Sequence, residues 1–106
     1  MSFAVRKQSD EIIEAIVESL RTYERDHPHA EIVLYRQNSV SVRIRIIDPS
    51  FKDLTRIQRS NLIWTYFHTL SEDEQSEISM LILLTPEEVE KSFANMEFDD
   101  PVTSDL

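Results

Sequence analysis

The chain has 106 residues, a net charge of −9, and neither cysteine nor glycine. That length suits one domain with one modest core. Without cysteine there can be no disulfide, thiolate metal site or cysteine nucleophile. Without glycine, the loops that bring backbone amides close to a phosphate are excluded, as is the G-x-x-G loop of nucleic-acid-binding KH domains.

No apolar run approaches the roughly 20 residues that span a bilayer, and Met1 to Asp10 lacks the apolar centre of a signal peptide. The expectation is a cytoplasmic protein without a membrane partner. The charge is uneven. Residues 36–59 hold 6 of the 11 basic side chains and 2 of the 20 acidic ones, whereas residues 60–106 hold 1 basic and 11 acidic. An acidic chain repels nucleic acid at long range. The central basic stretch is either a site for an acidic partner or internal compensation.

Residues from about Val5 to Asp26 read as a helix. Ile12, Ile13, Ile16, Val17, Leu20 and Tyr23 recur at helical spacing, and Pro28 stops the helix near His27. A first strand is expected over Glu31 to Tyr35, then a polar hairpin connection from Arg36 to Ser39. Val40 to Ile47 alternates strictly. Val40, Val42, Ile44 and Ile46 form one face; Ser41, Arg43, Arg45 and Ile47 form the other, the pattern of a strand covered on one side. Asp48 and Pro49 end it.

Asp53 is placed to cap a helix whose apolar face carries Leu54, Ile57, Leu62, Ile63, Tyr66, Phe67 and Leu70, with Trp64 widening it. Trp64 and Phe67 are expected on the buried side. Ser71 and Glu74 form a capping box for a short helical turn. A third strand is expected from Ile78 to Thr85. Thr85-Pro86-Glu87-Glu88 starts a last helix, with Val89 and Phe93 facing inward. Residues 96–106 are acidic and expected to be a flexible tail after a single domain of residues 1–95. The fold class is thus α+β: a three-stranded mixed sheet with helices packed on one face, in the order αββαβα. The hairpin makes the first two strands antiparallel, and the helical crossover makes the third parallel to the second.

From about Val40 to Val89 the chain resembles the BolA-like family, whose fold is related to the KH module. The marks are the Asp-Pro-Ser-Phe turn at Ser50 and Phe51, Arg59 with Leu62, Ile63 and Trp64, then Ile78 and Leu81, and the Thr85-Pro86-Glu87-Glu88 start. The resemblance implies a possible iron–sulfur cluster shared with a monothiol glutaredoxin. The family's second-helix histidine falls on Ser60, its following basic residue on Asn61, and its histidine at the last strand on Ser79. Serine is a poor iron ligand, so no cofactor is expected.

His27 and His29 flank Pro28, but no third or fourth ligand is indicated, so no metal site is expected. His68 lies late in the second helix, where an imidazolium suits the helix dipole. The serines and carboxylates fall on solvated faces and caps, so no enzyme is expected. Lys52, Arg36, Arg43, Arg45, Arg56 and Arg59 make the basic patch. The bland account of Arg43 and Arg45 is cross-strand pairing with Glu31. The expected partner site is Tyr35, Arg43, Arg45, Ile47, Arg56, Arg59, Leu81 and Leu83, with Val33 beside them on a sheet face that no helix covers. Its occupant would be a protein partner or a second copy in a homodimer. Alternatively the N-terminal segment or acidic tail folds over Leu81 and Leu83. A KH-like nucleic-acid-binding role is the alternative function, but the patch lacks interleaved aromatics.

Overall fold

The computed structural model describes residues 2–6, 9–92 and 98. Four strands form one mixed sheet in spatial order β1-β2-β3-β4: β1 Ser2–Val5, β2 Glu31–Asn38, β3 Ser41–Ile47 and β4 Ile78–Leu84. β1 runs parallel to β2, β2 antiparallel to β3, and β3 parallel to β4. The architecture is α+β with a mixed sheet, and the directions expected for the hairpin and the crossover hold. The strand number is four, not three. β1 occupies the stretch before α1, where four residues give too short a pattern to read.

The first helix, α1 (Glu11–Asp26), therefore starts six residues later than expected from Val5. Asp10 sets its start, its side chain accepting from the Ile13 N–H at 2.9 Å. Ile13, Ile16, Leu20 and Tyr23 are buried along one stripe. His27 closes the helix, as Pro28 requires. The tie between Tyr23 and Asp48 then fixes this helix to the end of β3: the Tyr23 hydroxyl donates to the buried Asp48 carboxylate.

β2 runs on through Asn38, so the connection to β3 is the tight turn at Ser39 and Val40. Val40 sits in that turn at 67% exposure and is not a core residue. Val42, Ile44 and Ile46 are buried on the helix side, as the alternation demands. Asp48 caps a 3-10 turn, Pro49–Asp53, which buries Phe51. Asp53 ends that turn and does not cap the next helix. The cap is Thr55, in a reciprocal box with Gln58, and α2 covers Arg56–Tyr66 before tightening into a 3-10 turn at Phe67–Thr69. Ile63 and Phe67 are buried, but Ile57 is 72% and Trp64 36% exposed. Trp64 packs edge-on against Phe67 from the rim, so it lies outside the buried stripe. Ser71 and Glu74 box the short α3, Glu72–Ser76, as expected.

The phase of β4 departs from expectation. Val42 pairs with Ile78 but Arg43 pairs with Met80, so Ser79 is an extra residue in the ladder. Beyond that bulge every side chain changes face. Leu81 and Leu83 pack on the helix side with Ile44 and Ile46, while Met80, Ile82 and Leu84 share the outer face with Arg43, Arg45 and Ile47. The leucines expected on the uncovered face thus pack, half-buried, against the main core. A 3-10 turn at Pro86–Lys91 follows, with the Thr85 N–H donating to Glu88. Val89 is half-buried there. Phe93 and the flexible tail expected over 96–106 lie outside the described residues, Phe98 excepted.

Candidate functional site

The eight residues expected at a partner site divide between two places. Arg56, Arg59, Leu81 and Leu83 meet in a groove along the free edge of β4, and Tyr35, Arg43, Arg45 and Ile47 share the outer face of the sheet.

The groove has a volume of about 850 Å³ and lies between α2 and the Pro86–Lys91 turn, with Leu54, Ser60 and Lys91 along its walls. β4 is the last strand of the sheet, so one of its edges has no neighbouring strand among the described residues. The backbone Leu84 carbonyl accepts from the Asp48 N–H, which turns Leu84 towards β3. Alternation then turns the backbone groups of Leu81 and Leu83 outward into the groove. The Leu83 carbonyl is met there by Arg59 at 3.1 Å.

Arg59 is a structural cation. It is 6% exposed, and its Nε donates to the Phe51 and Leu54 carbonyls at 3.2 and 3.1 Å. Its Nη1 and Nη2 fork onto Glu88 at 2.7 and 3.3 Å. Hydrogen bonding from Arg59, then from the Thr85 backbone, holds the Glu88 carboxyl at about 2, below its ordinary 4.5. Arg56 and Lys91 are exposed, so they carry the positive rim of the groove.

Arg36 belongs to the frame as well. It binds Asp10, reaches Glu77 at 2.8 Å and donates to the Asn38 carbonyl at 3.1 Å. The Asp10 carboxyl is lowered chiefly by the hydrogen bond from Arg36. For Arg36 and Arg59, internal compensation accounts for the basic charge.

On the outer face Tyr35 is buried, which its strand position alone did not indicate. Its cover is Phe98, whose ring stands at 63° to that of Tyr35 with 4.9 Å between centroids. The covering of this face by a C-terminal residue matches the alternative expectation in kind, but it falls on Tyr35 and Ile82, not on Leu81 and Leu83. Arg43 lies opposite Tyr35 in the ladder and donates to its hydroxyl at 3.3 Å. Glu31 stands opposite Ile47, one step diagonally from Arg45 on the same face, while Arg43 stands opposite Tyr35. No sequence signal pointed to Phe98, which sits alone among acidic residues.

Among the described residues no three histidine, aspartate or glutamate side chains gather as a metal site. His27 stacks on Tyr23 at 4.1 Å, and the His68 ring nitrogen lies 2.8 Å from the Thr65 carbonyl. The Ser79 hydroxyl donates to the Val42 carbonyl at 3.3 Å, across the bulge. No described helix is long and apolar enough to cross a membrane. No protein-family model, curated protein or solved structure matches the chain.

Proposed function

We propose that this chain is a non-enzymatic protein-interaction module of BolA-like fold, and that its groove along β4 receives a segment of a protein partner. The observation that carries this reading is the edge of β4 that has no neighbouring strand among the described residues, where the backbone at Leu81 and Leu83 faces a groove of mixed apolar and polar lining with a basic rim. Edge strands left open in this way bind extended segments by adding a strand, and apolar pockets beside them supply selectivity. Arg56 and Lys91 favour an acidic flank on that segment. The order of helix, hairpin, turn, helix and strand after β1 supports the BolA-like assignment, and β1 is an addition to it. Ser79 at the family's ligand position supports a role without a cluster.

The test is selection of displayed random peptides on the immobilised chain, repeated with the Arg56→Glu/Lys91→Glu variant. The expected outcome is a set of extended, acidic-flanked sequences that the variant no longer retains. Recovery of the same sequences by both proteins would remove the groove from the function. Binding of a random single-stranded oligonucleotide that falls steeply with added salt would favour the nucleic-acid alternative instead.

A further inference from the structure

Phe98 is fully buried on the outer face of the sheet, and what surrounds it is not a simple apolar floor. Its backbone carbonyl accepts two hydrogen bonds, from the Tyr35 hydroxyl at 2.9 Å and from Arg6 Nη2 at 3.0 Å. The Arg6 and Arg45 guanidiniums stand 5.1 and 5.0 Å from the centre of its ring. Arg6 also lies 4.7 Å from the centre of the Tyr35 ring. Ile82 packs in the same cluster, and Arg43 steadies the Tyr35 hydroxyl. The residues come from the end of β1, from β2, from β3 and from β4, so the sheet assembles one pocket out of four separate segments.

These contacts read an aromatic ring and a main-chain carbonyl. Both are features that any chain carrying an aromatic residue presents. Two cations within about 5 Å of one ring centre favour an aromatic over an aliphatic side chain. The sequence beside Phe98 is Glu97 on one side and Asp99 and Asp100 on the other, opposite in charge to Arg6, Arg43 and Arg45. The resident residue therefore displays the chemistry of the ligand the pocket fits. We propose that the outer face is a recognition site for an aromatic side chain within an acidic segment of a partner protein, and that Phe98 occupies it in cis until such a segment displaces it. This site is separate from the β4 groove, and either can fail without the other.

The probe is a fluorescent peptide covering residues 94–104, offered to the full chain and to its Phe98→Ala variant at low salt. A short tether presents Phe98 at an effective concentration on the order of millimolar, so the variant should bind the peptide at least about tenfold more tightly than the parent. A peptide with alanine in place of its phenylalanine should not bind, and Arg45→Glu on the Phe98→Ala background should abolish binding. Equal affinity of parent and variant, or equal binding of the alanine peptide, would overturn the proposal. A second measurement works on the parent chain and does not depend on the variant folding. Excess unlabelled peptide should shift the Phe98 ring resonances of the isotope-labelled parent chain as Phe98 leaves the pocket. Unchanged resonances would overturn the proposal, as would self-association of the parent through exchange of Phe98 between copies.

Discussion

Arg59 carries a charge that a sequence reading assigns to a surface patch, yet nearly all of its donors are spent inside the molecule. It joins the turn before α2, the outer edge of β4 and the turn after it, through the Phe51, Leu54 and Leu83 carbonyls and Glu88. The consequence is a defined pH dependence. The Glu88 carboxyl sits at about 2 in the fold against 4.5 ordinarily. A lowered carboxylate gives stability that is fully present above its unfolded value and is lost as pH falls towards the folded one. Glu88 is 44% exposed, so solvent screening keeps the contribution modest. Glu88→Gln should therefore flatten the fall in melting temperature between about pH 5 and pH 2, compared with the parent. Parallel melting curves across that range would show that Arg59 and Glu88 do not form this pair in solution.

The helices and strands separate what the sequence makes legible from what it conceals. Strict alternation from Val42 to Ile47 showed which residues β3 buries, because a strand covered on one side must alternate. Capping chemistry at Ser71 and Pro28 placed the helix limits it governs. β4 offered no such guide, because Ile78 and Met80 to Leu84 are all apolar, and the phase depends on a one-residue bulge at Ser79. The displaced phase put Leu81 and Leu83 on the wrong face and divided the expected site in two. Residue type identified the arginines, but only tertiary contacts distinguish Arg59, bound within the frame, from exposed Arg56. Two predictions belong to this scale. Leu81→Asp with Leu83→Asp should abolish cooperative thermal unfolding, because both side chains face the main core; a folded double variant would return them to the outer face. On α2, Phe67→Ala should cost about 3–5 kcal/mol and Trp64→Ala less than half of that, because Phe67 is enclosed and Trp64 lies at the rim. Urea midpoints of the two variants measure the difference, and equal losses would show that Trp64 is core.

At the scale of the whole molecule, the sheet separates two kinds of surface. One side is sealed by α1, α2 and the Phe51 turn over the main apolar core, and the other carries arginines around a small aromatic cluster. β1 extends the sheet beyond β2, where four residues leave no pattern to read, and Phe98 covers the second side, where the expected cover of Leu81 and Leu83 falls on Tyr35 and Ile82 instead. The contact from Arg6 to the Phe98 carbonyl spans 92 positions of sequence. Closing so wide a loop costs configurational entropy that local contacts do not repay early in folding. The contact should thus be absent from the rate-limiting step and form after the rest of the sheet. Phe98→Ala should leave the refolding limb of a stopped-flow chevron unchanged and accelerate the unfolding limb. Slowed refolding would mean that the two ends meet early. If the limbs behave as expected, Phe98 acts as a brake on unfolding, and removing the brake shortens the lifetime of the native state without altering the route by which it forms.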